Sequence, residues 1–363
     1  MIHFWAPAET ASAGDVLAWD PDAEPGRYAT GFGHSMLELC VRLARAGVDV
    51  SIGEQVPPST ELVVVFPKTV YQHGRLRSLL RAGRRAGGRF AVIRSDTPFS
   101  WRFPVRPVVE FMPNRLAVER PWQRWVPPLP QRGLVPRDAD RCGRIRSVAF
   151  KGYAETLPAV LAGRGWADAL ADRGIEWLPD VDTEGDGAGQ RWHDFAAVDA
   201  VLCVRALRTA TNTARKPATR LINAWAAGCV PLAEPDRAYV ELGSEGADVF
   251  FVETPLAALP VIDRLNGDPE DLARVEQLIA ERGLEYGTAA TLERWRFELV
   301  EAAMSPVARR KSLQTTRVLS GRAMVDIRGL LGPARRLVGL GRRCAAAWRR
   351  RVLRSGRTVG SAL

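Results

Sequence analysis

Along the first hundred residues, apolar runs of strand length alternate with stretches that are apolar on one face only. This order constrains the fold more than any single motif. "MIHFWAP" is followed by "SMLELCVRLARAG", "VDVSIG", "ELVVVFP", "RLRSLLRAGRRAG" and "RFAVIRSD". In the first long stretch Met36, Leu37, Leu39, Cys40, Leu43 and Ala44 follow helical spacing, and Gly47 stands where a helix C′ residue belongs. Strand, helix and strand in succession predict a parallel sheet with helices on both faces. A second series follows residue 145, with "IRSVAFKG", "IEWLP" and "DAVLCVR" as strands and "TLPAVLAGRGWADALADRG" as a helix. It continues with a helix over 217–227, strands "CVPLAE" and "DVFFVE", and helices over 255–266 and 269–283. Between 98 and 145 the pattern dissolves into Pro, Trp and Arg, which predicts a boundary of long loops. The expectation is an α/β chain of two βαβ domains, 1–140 and 141–305, followed by a tail, 306–363.

Charge is unevenly placed. The chain of 363 residues carries a net +10, yet residues 301–363 hold 15 Arg/Lys against Glu301 and Asp326, which leaves the body slightly acidic. Nucleic-acid binding by the folded domains therefore loses its main support, and none is expected. Five scattered cysteines without a C-x-x-C pair, and four histidines without H-x-x-x-H spacing, predict neither a disulfide framework nor a metal site. No apolar run is long enough to span a bilayer and the start lacks a signal-peptide layout, so a cytoplasmic protein is expected.

The stretch "KPATRLINAWAAGCVPLAE" beginning at Lys216 concentrates the chemistry. A strand ends near Arg205, and the eleven residues "ALRTATNTARK" then form a loop of threonines, an asparagine, two arginines and a lysine. Pro217 suits a first helical turn, Leu221, Ile222 and Trp225 make an apolar face, and Gly228 ends the helix. In an open α/β sheet, ligands bind beyond the carboxyl ends of the strands, where a helix N-terminus offers N–H groups to an anion. With Arg205, Arg208, Arg215, Lys216, Thr219 and Arg220 nearby, the loop is expected to hold a phosphate or diphosphate.

The run "TRLINAWAAGCVPLAE" and the downstream "YVELGSEGADVFFVETPLAALPVIDRL" resemble the nucleotide-sugar-binding segment of GT-B fold glycosyltransferases. "GRYATGFGHSMLELCVRLARAGVDVSIG" is similar to that family's first glycine-rich loop and helix, with Gly31, Gly33 and His34 in the loop. The resemblance implies two Rossmann-like domains facing a cleft, the second binding a nucleotide-sugar and the first an acceptor. It implies transfer of the sugar to a hydroxyl on a glycan or a lipid-linked acceptor, with no cofactor and no metal. Asp180-Val181-Asp182 spells a metal-binding D-x-D, but it precedes the acidic loop "TEGDGAG" and is expected to be a solvated turn.

The family's retaining members carry two spaced glutamates, and here those positions are Arg215 and Asn223, which leaves stereochemistry open. Lys151 and Gly152 in "AFKGYAETLP" are expected at the leaving diphosphate, Gly for close approach and Lys for charge. Asn223 is carried over as a donor contact. For the base, His34 is the first candidate and Asp96, in "IRSDTP", its rival. A sugar-nucleotide epimerase, or a binding protein that has lost catalysis, are the competing functions.

In 327–352 the residues Ile327, Leu330, Leu331, Ala334, Leu337, Val338, Ala345, Trp348 and Val352 fall on one helical stripe, opposite recurring arginines. That is the pattern of an interfacial helix, and an anionic membrane surface at the inner face is its expected partner.

Overall fold

The computed structural model describes residues 1–11, 16–28, 30–85, 87, 89–95, 103–182, 191–206 and 216–305. Asp96, Arg208, Arg215 and the tail lie outside the described residues. Six strands form the first sheet: β1 (Ile2–Trp5), β2 (Val50–Gly53), β3 (Leu62–Val65), β4 (Phe90–Ile93), β5 (Val109–Met112) and β6 (Gln123–Trp125). Their order is β2-β1-β3-β4-β5-β6, and every pair is parallel. The second sheet is β7 (Ser147–Tyr153), β8 (Glu176–Asp182), β9 (Ala200–Cys203), β10 (Val230–Ala233) and β11 (Phe250–Phe251), in the order β11-β10-β9-β7-β8, again parallel throughout.

Burial explains why these runs are strands. Successive side chains face opposite sides of a sheet. In the first sheet Ile2, Phe4, Leu62, Val64, Ala91 and Ile93 enter one core, while Trp5, Val63, Val65, Phe90 and Val92 enter the other. Helix α1 (Glu38–Arg45) covers the first face through Leu39, Cys40 and Leu43. Helix α2 (Leu76–Arg85) covers the second through Leu79, with Leu76 and Leu80 beside it. In the second sheet, helix α3 (Thr219–Ala226) buries Leu221, Ile222 and Trp225.

Three features depart from the sequence reading. β5 and β6 lie inside the stretch expected to be loops, because at four and three residues they are too short to show a period. α3 begins at Thr219 rather than at Pro217, since Ala218 (φ −79°, ψ 27°) stands outside the helical run. Helix α4 (Pro269–Tyr286), capped by Asp268 on Asp271 N–H, crosses α3 closely at Gly283. There a Cβ would lie 2.7 Å from the Trp225 carbonyl. Past Gly287 the chain turns into α5 (Thr288–Met304), which was expected with the second domain. It packs instead into the first, where Trp295, Leu299, Ala302 and Ala303 join the core of Ile2 and Phe4. Full burial of Leu299 alone contributes about 1.5–3 kcal/mol.

Buried His3 on β1 bonds Gly53 O through Nε2 at 3.0 Å and Ser51 Oγ through Nδ1 at 2.9 Å. Burial pushes its pKa down from 6.5 to about 4, against the pull of the Gly53 bond. The unfolded chain therefore binds this proton near pH 6.5 and the folded chain only near 4, so stability is lost as pH falls through that window. At ~1.4 kcal/mol per pH unit, the full effect is on the order of 3 kcal/mol. Urea unfolding between pH 7 and 4 is expected to show this slope in the wild type and a shallower one in His3→Gln; parallel curves would contradict it.

Candidate active site in the cleft

Both sheets change direction at their first strand. β1 lies between β2 and β3, and β7 between β8 and β9, which places a crevice at the carboxyl ends of these strands. On the first-domain side, Thr30 Oγ1 accepts from Gly33 N–H at 3.0 Å and Thr30 O from His34 N–H at 2.9 Å. The turn that follows, Gly33–Leu37, is wound wider than an α-helix, with Glu38 N–H donating to Gly33 O five residues back. Such turns recur at functional sites. Gly33 is required here, because a Cβ would lie 2.8 Å from the Tyr28 backbone.

His34 follows this glycine. Its Nδ1 lies 3.0 Å from Oε2 of Glu38, which is fully buried and receives Arg42 Nε on its other oxygen at 2.9 Å. Burial opposes the charge on Glu38, but His34 and Arg42 hold its carboxyl below the usual value. An ionised Glu38 accepts a hydrogen bond from Nδ1–H, and in that tautomer Nε2 is the ring nitrogen able to accept. His34 lines a narrow cavity of about 100 Å³ with Ser35 and Ser95 from the first domain, Pro217 and Thr219 from the second, and Trp295 from the crossing helix. Gly31 is on its wall.

On the second-domain side, Arg220 extends from α3 back over the sheet. Its guanidinium donates to Val204 O and to Thr156 Oγ1, and lies 4.9 Å from the Phe150 ring centroid. These partners are neutral, and among the described residues Arg220 makes no ion pair. Burial and then neighbouring Arg205 lower its pKa from the ordinary arginine value. Gly152 makes room for it, since a Cβ there would lie 2.5 Å from Arg220 Nη2. Gly152 was expected to admit a ligand; the group it admits is Arg220. Arg205 pairs with Asp236 and sits over the Tyr239 ring. Asp236 Oδ1 and Tyr239 Oη are buried and make no hydrogen bond among the described residues.

The other candidates separate from this group. Lys151 was expected beside the leaving group, but it points to the opposite face from Phe150 and Gly152. Its Nζ is held by Asp180 at 3.4 Å and Arg191 O at 2.9 Å, over the Phe195 ring. Burial lowers its pKa against the pull of Asp180. Asp180 and Asp182 end strand β8, with Asp182 buried, rather than forming a solvated turn. Asn223 turns away from the crevice, and its Oδ1 accepts from Gln131 N–H at 2.8 Å where the chain crosses between domains. Lys216 meets the first domain through its carbonyl, which accepts from Asn114 Nδ2.

Sequence reasoning missed Glu38, Thr156, Asp236 and Tyr239. Glu38 had a signal, since it stands one helical turn after His34. Glu241 was also missed, and it clasps the two domains. Its carboxylate accepts from the backbone N–H groups of Arg115 at 2.7 Å and Leu116 at 2.9 Å in the first domain. Burial raises its pKa, partly offset by those two bonds.

No protein-family profile and no curated protein sequence matches the chain. Solved structures do. Sucrose-phosphate synthase from Thermosynechococcus elongatus superposes with a TM-score of 0.52 at 12% identity, over 83% of this chain and 99% of that one. The chain has the GT-B fold. Anabaena Alr3699/HepE, in complex with UDP and glucose, aligns at a TM-score of 0.47 and 14% identity, over 83% of this chain and 99% of that one. AviGT4, a glycosyltransferase involved in avilamycin A biosynthesis, aligns at 0.45 and 13%, over 84% and 98% respectively.

In this GT-B arrangement the Glu241 carboxylate bridges the two domains. Glu241→Ala, which removes both acceptors, is expected to raise the radius of gyration measured by solution X-ray scattering. Superimposable scattering curves for the two proteins would show that the clasp does not hold the domains together.

Proposed function

We propose that the protein is a glycosyltransferase that moves a sugar from a nucleoside-diphosphate donor to a hydroxyl acceptor. The observation that carries this reading is Arg220, a half-buried guanidinium whose hydrogen bonds go to neutral groups, at the N-terminus of α3 and the switch point of a parallel sheet. A buried cation without a carboxylate is costly, and an anionic ligand offsets that cost. A diphosphate fits this place, with Thr219 N–H and Thr219 Oγ1 as neutral donors.

The chemistry divides between the domains. His34 Nε2 takes the proton from the acceptor hydroxyl, whose oxygen attacks the anomeric carbon. The bond from that carbon to the diphosphate breaks, and its electron pair leaves on a phosphate oxygen that Arg220 stabilises. Glu38 holds the imidazole in the required tautomer. Asp236 and Tyr239 offer a buried acceptor and a buried hydroxyl to hydroxyls of the donor. The cavity beside His34, at about 100 Å³, is far below the ~300–1,000 Å³ of a typical ligand site, and in this reading the cleft widens there to admit the reacting groups. A glycan or lipid-linked alcohol is the acceptor class proposed for the first-domain side. Lys151 and Asn223 have structural tasks in this reading, and no step requires a cofactor.

The test is consumption of a panel of nucleotide-sugars with and without hydroxyl acceptors. Acceptor-dependent loss of donor supports transfer; loss without acceptor marks an epimerase or hydrolase, and binding without loss marks a protein that only binds. Arg220→Ala is expected to weaken nucleoside-diphosphate binding by about 1.5–3 kcal/mol while leaving nucleoside binding nearly unchanged. Equal losses by calorimetry would remove the diphosphate from this site. His34→Ala is expected to lower turnover by ~10²–10⁴-fold with donor affinity kept, and near-normal turnover would assign the base elsewhere.

A further inference from the structure

Beyond His34 the hydrogen bonds continue in a direction that the reaction steps do not use. Glu38 divides its carboxylate, with Oε2 3.0 Å from His34 Nδ1 and Oε1 2.9 Å from Arg42 Nε. The two remaining arms of Arg42 go to one partner, Asp22, with Nη1 3.0 Å from Oδ2 and Nη2 2.7 Å from Oδ1. Asp22 is exposed, and an exposed ion pair usually contributes little to stability. Its geometry here is the two-pronged one, which fixes direction. The Arg42 fork holds the Asp22 carboxyl below its usual value, against the effect of partial burial.

The same carboxylate meets the crossing between the domains. Asp22 Oδ1 also accepts from Gly133 N–H at 2.8 Å. Gly133 has φ +61°, and a Cβ there would lie 2.9 Å from Asp22 O, so glycine is what lets the two backbones come this close. Arg132 beside it donates from Nε to Pro25 O at 2.7 Å, and Gln131 N–H reaches Asn223 on α3 at 2.8 Å. A continuous set of contacts therefore runs from α3 of the second domain through residues 131–133 to Asp22, Arg42, Glu38 and His34.

We propose that Asp22 is a positioning residue for His34, acting through Arg42 and Glu38 and held in place by the domain crossing. The reason lies in the donors of arginine, whose fork of N–H groups can grip both oxygens of one carboxylate. With both Nη groups on Asp22, Arg42 offers Glu38 its Nε alone, and Oε2 remains for the imidazole. Without Asp22, those Nη groups lie beside a fully buried carboxylate, and Arg42 turns to take both of its oxygens. Nδ1 then loses its acceptor, and the ring no longer prefers the tautomer in which Nε2 accepts. The inference rests on His34 as the proposed base.

Nitrogen-15 NMR of the full chain, labelled at its four histidines, tests it without substrate. The His34 ring signals are assigned by their loss in His34→Gln and are read with the ring neutral. The wild type is expected to carry its proton on Nδ1, and Asp22→Ala to shift toward the form with the proton on Nε2. Asp22→Asn, which keeps an oxygen for Gly133 N–H, is expected to shift less, and it is the variant read if Asp22→Ala does not fold. Arg45→Gln removes a neighbouring surface charge from α1 and is expected to leave the signals unchanged. In turnover, Asp22→Ala is expected to lower kcat about tenfold or more with donor KM kept. A wild-type proton on Nε2, or an unshifted tautomer in the folded Asp22 variant, would overturn the proposal. So would the same shift in Arg45→Gln, since it would mark a general effect of charge. A shifted tautomer with undiminished turnover in both Asp22→Ala and His34→Ala would sustain the positioning and take the role of base from His34.

Discussion

Every strand pair described in the two sheets is parallel, and the rest of the architecture depends on that constraint. Parallel neighbours need a crossover between them, and right-handed crossovers bring helices to both faces and all the carboxyl ends to one edge. The loops after β1, β7 and β9 therefore open into crevices without further design. Helix α5 completes the arrangement, because a helix from the end of the chain supplies part of the first core. Its Trp295 bonds Pro127 O at 3.0 Å and its ring centroid lies 4.7 Å from that of Phe111, which ties it to the floor of the cleft.

Within that frame the two halves of the site solve the same problem in opposite ways. On the first domain a buried charge, Glu38, is fully compensated by Arg42 and by His34. The compensation fixes a ring nitrogen as an acceptor. On the second domain Arg220 is given hydrogen bonds without a counter-charge, and in the proposed reading a diphosphate supplies it. Such incomplete compensation destabilises the unliganded protein slightly and raises the differential affinity for an anion.

The alternation of apolar runs made most of the fold legible, because parallel strands buried on both faces read as short continuous apolar segments. β5 and β6 escaped because Pro and Arg surround them, and α5 because sequence periodicity reports that a helix exists but not which core receives it. Placement was legible where it follows from position along the chain, as with Gly33 and His34 at the turn before α1 and Arg220 in the first turn of α3. It was misread where direction decides. Lys151 and Gly152 are neighbours in sequence and face opposite sides of β7, while Asn223 faces the domain crossing. Asp236 and Tyr239 carry no motif, and only burial without a partner distinguishes them.

The central claim is that Arg220 and the start of α3 receive a diphosphate. A crystal structure of the protein with a nucleoside diphosphate tests it most directly. The account predicts phosphate oxygens within hydrogen-bonding distance of the Arg220 guanidinium and of Thr219, with the nucleoside lying over the carboxyl ends of β7 and β9. A nucleotide bound elsewhere, with Arg220 still engaged only by Val204 and Thr156, would contradict it.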